Sequence, residues 1–102
     1  MKTATFIKWL TDWRGHAALF KLSEPAQVDW YLEEDEEPTY TDYVVVSGVV
    51  AFLGEAETLI FPADKEGEVP SMTEMPGSFR GSIDHDKALE GLGYQAVYPK
   101  EG

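Results

Sequence analysis

The residues best suited to chemistry stand close together near the C-terminus, as Ser82, Asp84, His85 and Asp86. Imidazole beside carboxylate suits zinc or manganese. Adjacent residues on a helix point about 100° apart, so three in a row cannot reach one ion without ligands from elsewhere. The only other histidine is His16. A hydrolytic triad needs its serine, histidine and acid to converge from separate places, and neighbours in sequence do not supply that. The plainer reading is a helix capped by Asp84, with Asp86 favourably placed at its positive end and His85 on the apolar face. Just upstream, Gly77-Ser78-Phe79-Arg80-Gly81-Ser82 offers backbone N–H groups and a guanidinium to an anion. It lacks the lysine and the spacing of a phosphate-binding loop. A turn whose arginine pairs with a nearby acid explains it as well. Carboxylates are numerous enough for glycoside cleavage, yet nothing singles out a pair. The expectation is a protein that is not an enzyme and that carries no metal or other cofactor.

Charge is the unusual property. The chain has 102 residues and a net charge of −11. From Leu22 to Asp64 there is no lysine or arginine, while 11 acids fall in that segment: Glu24, Asp29, Glu33, Glu34, Asp35, Glu36, Glu37, Asp42, Glu55, Glu57 and Asp64. The remaining 8 acids are matched by 8 bases, so the whole net charge belongs to the segment. Phosphate backbones and anionic lipid repel such a surface, which argues against direct binding to nucleic acid or membrane. A basic protein partner is the natural complement. Carboxylates spaced along a surface can imitate a phosphate backbone or steer such a partner. Solubility is the bland alternative, though it does not require so lopsided a distribution.

These groups must be positioned by a fold, and the stretch that organises it is Tyr43-Val-Val-Val-Ser-Gly-Val-Val-Ala-Phe-Leu53. Its β-branched residues favour a pleated surface. Both pleat faces are apolar, Tyr43, Val45, Val49, Ala51 and Leu53 on one and Val44, Val46, Val50 and Phe52 on the other, so the strand belongs in the middle of a covered sheet. Gly48 suggests a bulge or a close approach. Thr3 to Leu10 reads as a strand with Thr5, Ile7 and Trp9 on one face, although Phe6, Trp9, Leu10 and Trp13 also fit helical spacing. Ala17 to Leu22 is a second strand closed by Ser23-Glu24-Pro25, with Phe20 and Leu22 facing one side and Leu19 and Lys21 the other. Gln27 to Leu32 is a short edge strand or a loop pinned by Trp30 and Tyr31. Glu33 to Glu37, followed by Pro38, is a solvated loop tip, because adjacent like charges repel.

Glu57 to Pro62 pairs with the central strand as a hairpin, and Pro62 ends its ladder. Ala63 to Gly81 is a long loop, mobile or functional. On it, Met72, Met75 and Phe79 either form an adaptable apolar contact or tuck the loop onto the body. A short helix runs from about His85 to Leu92, its apolar face made by His85, Ala88, Leu89 and Leu92, and it ends at Gly91 or Gly93. Tyr94 to Tyr98 is a last strand.

Several of these pieces together resemble small uncharacterised proteins of actinobacterial tailed bacteriophages. The pieces are Trp13-Arg14-Gly15 with Ala18 to Leu22 and Pro25, Tyr43 to Ser47, Glu57 to Asp64, Gly77 to Gly81, Asp84-His85, Ala88-Leu89 and Gly93-Tyr94. The acidic run is longer than that resemblance leads one to expect. The likeness implies a phage accessory protein made in the cytoplasm of an infected bacterium, or a component of the virion, and it carries over no catalytic residue.

The sequence therefore predicts one α+β domain spanning residues 1–102, with an antiparallel sheet of four to six strands and one short helix near the C-terminus. The absence of cysteine suits the cytosol and removes disulfides. There is no apolar signal region after Met1-Lys2, and the longest apolar run is too short to cross a bilayer as a helix. The predicted partner-binding residues are Asp29, Trp30, Tyr31, Glu33, Glu34, Asp35, Glu36, Glu37 and Asp42. Their expected role is to bind a basic host protein of nucleic-acid-handling or defence machinery, and to modulate or inhibit it without catalysis. Self-association as a structural or assembly component of the particle is the competing expectation.

Overall fold

A computed structural model describes residues 2–11, 16–28, 33–50, 54–70 and 72–99. Strands β1 (Thr3–Leu10), β2 (His16–Gln27), β3 (Tyr40–Val50) and β4 (Ala56–Ala63) form an antiparallel meander. The chain adds β5 (Phe79–Arg80), crosses by helix α1 (His85–Leu92) and finishes in β6 (Gln95–Val97). The sheet order is β5-β4-β3-β2-β1-β6. The expected α+β class and C-terminal helix are present, but the curled sheet is mixed: β6 lies parallel to β1. Direction along the chain explains this. β5 runs the same way as β1, α1 carries the chain back, and the strand after it must again run with β1.

The apolar stretch at the centre occupies the predicted place and is covered on both faces from Val44 to Gly48, but Val50, expected on a covered face, is 65% exposed. Val44 and Val46 join the core beneath α1, with Ala4, Phe20, Leu22, Ile60, Met75, Ala88 and Leu89. Val45 joins Leu10, Ala17, Leu19 and Ala63 on the opposite face. Alternation along β3 thus serves two cores, as a strand apolar on both faces requires. Residues 51–53 lie outside the described part. Gly48 marks a close approach and not a bulge. Its pairing with His16 and Thr58 is regular, and the Ile83 side chain fills the place of a Cβ. Buried Thr58 fixes this junction, donating its hydroxyl to Ser82 O (2.8 Å) and accepting from Asp84 N (3.0 Å).

Three strand details differ from the expectation. In β1 the register against β2 shifts between Phe6 and Lys8. This bulge breaks the alternation that would have put Thr5, Ile7 and Trp9 on one face. Thr5 pairs with Lys21, whereas Trp9 pairs with Ala18 on the α1 side. Phe6 and Trp9 therefore share a face at a spacing of three, and their rings meet edge-on at 5.5 Å. The helical-looking spacing is the signature of the bulge. Second, β2 does not close at Ser23-Glu24-Pro25. It bulges there, because the register jumps between Lys21 and Ala26, and resumes to Gln27. Proline is tolerated in such a position because no ladder N–H is required. Third, β4 continues through Pro62 to Ala63. Ile60 turns its N–H to Ser78 Oγ and its carbonyl to Met75 N, on the side away from β3. Two residues on, Pro62 faces the same way, so its missing N–H costs the β3 ladder nothing.

The long loop is tied down on both sides of the sheet. Asp64 Oδ1 accepts the amides of Glu66 (2.9 Å) and Glu68 (3.0 Å), closing a tight turn through Gly67, whose φ is +91°. Gly67 and Val69 lie over Leu10 and Leu19 and cover the second core. The chain then rounds the β4 edge and inserts Met75 into the first core, while Met72 stays exposed. At α1, Asp84 Oδ1 accepts from Lys87 N at 3.0 Å, and Gly93, with φ +104°, ends the helix. Among the described residues no helix is long and apolar enough to cross a membrane.

Candidate protein-binding surface

The acidic run sits on the connection between β2 and β3. Val28 N donates to Thr39 O at 2.8 Å and closes its base, and Glu36 N donates to Glu33 O at 3.0 Å to make a turn at the tip. Five consecutive like charges settle where water can screen them, and Glu33, Glu34, Asp35, Glu36 and Glu37 are all exposed. Asp42 is exposed on the adjoining part of β3. Among the described residues no base forms an ion pair with any of these six. The structure therefore brings Glu33 to Glu37 and Asp42 to one end of the sheet. Asp29, Trp30 and Tyr31, the other predicted residues, lie outside the described part.

Three of the bases found elsewhere are engaged locally. Arg80 Nε contacts Glu57 Oε1 at 2.9 Å across β4 and β5, and Arg80 Nη2 lies 3.8 Å from Glu74. The bond to Glu57 and its charge raise the guanidinium pKa further above its ordinary value. Lys2 lies over the Tyr94 ring at 4.8 Å and Lys87 over Phe79 at 4.7 Å. The Gly77–Ser82 turn is thus an ordinary loop with a paired arginine, and Gly81 N is taken by Ala56 O.

The other chemical candidates are also occupied. Asp84 caps the helix, and Asp86 accepts the Tyr98 hydroxyl at 2.6 Å. Burial first, and then this carboxylate, push the Tyr98 phenol well above its usual pKa. His85 Nε2 lies 2.7 Å from His16 O, and since a carbonyl can only accept, Nε2 carries the proton. Its ring meets Trp9 edge-on at 5.8 Å. Ser82 supplies only its carbonyl to Thr58. Among the described residues no group of three or more His, Asp or Glu is placed to hold a metal ion.

One feature escaped the sequence reading. A groove of about 380 Å³ opens beside the base of the acidic connection, lined by Val28, Tyr40, Pro62, Ala63, Asp64 and Pro70 among others. Tyr40 is 57% exposed there. Thr41 braces the floor, its hydroxyl proton shared between Tyr43 O (2.7 Å) and Ala63 O (3.1 Å). The amide of Glu68, ahead of the other contacts in its turn, holds the Asp64 carboxyl below its usual range. The available signal was the position of Tyr40 two residues beyond Pro38, at the mouth of the central strand. Nothing in sequence spacing joins it to Asp64 and Pro70. No known protein family, no characterised protein and no solved structure matches this chain.

Proposed function

We propose that this chain is a small acidic accessory protein, of the phage type its sequence resembles, that captures a basic host protein and modulates it without catalysis. The observation that carries the reading is that Glu33 to Glu37 are all exposed, with no base paired to them among the described residues. Such a surface raises the encounter rate with a cationic protein and makes affinity fall with salt. The nucleic-acid-handling or defence role follows from the cationic surfaces such proteins use to hold phosphate. The test is capture of partners by the tagged protein from host lysate, washed at low and then high salt. Reversal of Glu33, Glu34, Glu36 and Glu37 to lysine should abolish capture while leaving the circular dichroism spectrum intact. Undiminished capture by the reversed protein would sink the reading.

A second reading, self-association within a particle, draws on Ile7, Trp9, Val97 and Tyr98, exposed large side chains on the neighbouring strands β1 and β6 and just past β6. The three-residue β6 and two-residue β5 offer little ladder for another copy. Stoichiometric recovery from purified virions would favour this reading over the first.

A further inference from the structure

We propose that the groove beside Tyr40 is the seat for a single arginine or lysine side chain of the basic partner. This inference rests on the partner reading above and assigns it an anchor point. The groove is near the small end of ligand sites, which run roughly 300–1,000 Å³, so it suits one long side chain better than a bulky ligand. Its walls match the two halves of a long cationic residue. Val28, Pro62, Ala63 and Pro70 present apolar surface to an aliphatic stem, and the exposed Tyr40 ring offers a π face to the charged head. Asp64 supplies the countercharge. Its Oδ1 is held by two backbone amides, so the carboxylate is fixed in place before a partner arrives. Preorganisation of this kind lowers the ordering cost of binding.

Charge complementarity favours a cation over an apolar occupant. The groove adjoins the acidic connection at Val28 and Thr39 and also borders Asp64, while the chain carries a net charge of −11. The arrangement divides the work of binding. The exposed acids attract over distance and are screened by salt, whereas the groove holds at contact range and resists screening better.

The test uses the full chain and a fluorescein-labelled nonapeptide of alternating glycine and serine with one central arginine and lysines at both ends. Matched peptides carry leucine or norleucine at the centre. Anisotropy titrations compare the wild type with Tyr40→Ala, Asp64→Asn and the protein in which Glu33, Glu34, Glu36 and Glu37 are reversed to lysine. Asn keeps an Oδ1 acceptor for the turn, and Tyr40 is mostly exposed, so both groove variants retain the fold. The expected result is at least ten-fold weaker binding of the arginine peptide to each groove variant, with an unchanged salt slope for Tyr40→Ala, and a comparable loss of affinity when the wild type meets the leucine peptide. Reversal of the four glutamates should instead flatten the salt slope. Equal binding of the arginine and leucine peptides, wild-type affinity in Tyr40→Ala, or no binding of the arginine peptide at all would each overturn the groove assignment. Salt-eluted capture from lysate judges the acidic-surface reading separately, so the two can fail independently.

Discussion

Replacing Gly48 with alanine tests the packing on which the upper end of the sheet depends. Gly48 lies in β3, paired with His16 on one side and Thr58 on the other, so its backbone cannot step aside. A methyl group there would collide with Ile83 Cγ2, and Ile83 Cβ and Cγ1 would each lie 3.3 Å away. Ile83 cannot withdraw freely either, because Thr58 holds the residues on both sides of it, at 2.8 Å to Ser82 O and 3.0 Å to Asp84 N. Overpacking in such a setting costs about 1–3 kcal/mol, offset by the reduced freedom of the unfolded chain, about 0.4–1 kcal/mol. The net expectation is a loss of about 1–2 kcal/mol, read as a melting temperature lower by roughly 4–8 °C per kcal/mol. Ile83→Ala opens the space that the new methyl needs. In a double-mutant cycle followed by urea denaturation, the pair should therefore be more stable than the sum of the single changes by about 1 kcal/mol or more. A neutral Gly48→Ala, or an additive cycle, would refute the argument that Ile83 seals the sheet at this glycine.

The long loop after β4 gives a second test: Met75, with no exposure, should cost about 2–5 kcal/mol when cut to alanine. Met72, 66% exposed three residues earlier, should change stability by less than about 0.5 kcal/mol. Similar denaturation midpoints for the two variants would mean that the loop is not anchored at Met75. The turn at Asp64 makes a pH prediction. Its folded pKa lies below 3.8, so the unfolded chain binds the proton more readily in that range. Its stabilising contribution is complete above the unfolded value and is lost as pH falls through the folded one. Asp64→Asn should therefore show a shallower decline in stability between pH 5 and acid than the wild type, and identical declines in a urea series would contradict the assignment.

Much of this architecture could be read from local chemistry because local chemistry decides it. The alternation of Val44, Val45 and Val46 between two cores and the cap at Asp84 both depend on residues a few positions apart. The run of acids had to find solvent for the same kind of reason. The departures arise where distant partners choose. The bulge at Ile7 is defined by a shift against β2, which turns a spacing that looks helical into a strand feature, and Pro25 and Pro62 are harmless only because the sheet turns their nitrogens away from a needed bond. The parallel placement of β6 depends on the helix crossing the sheet, which no window of sequence contains. The groove escaped for the same reason, since Val28, Tyr40, Asp64 and Pro70 meet only after three strands and a loop have closed around it.

The pairing of the last strand with the first also governs how the chain must fold. Thr3 cannot find Gln95 until all the residues between them have left the ribosome. Until then the edge of β1 at Thr3, Ala4 and Thr5 stands bare to any neighbouring chain. Contacts between such remote positions are slow to form, because loop-closure entropy is lost before the pairing returns it. The three residues of β6 thus act as a late seal. A chain truncated before Gln95 should be synthesised with an open β1 edge, and its yield should fall through aggregation even though the four-strand meander is complete.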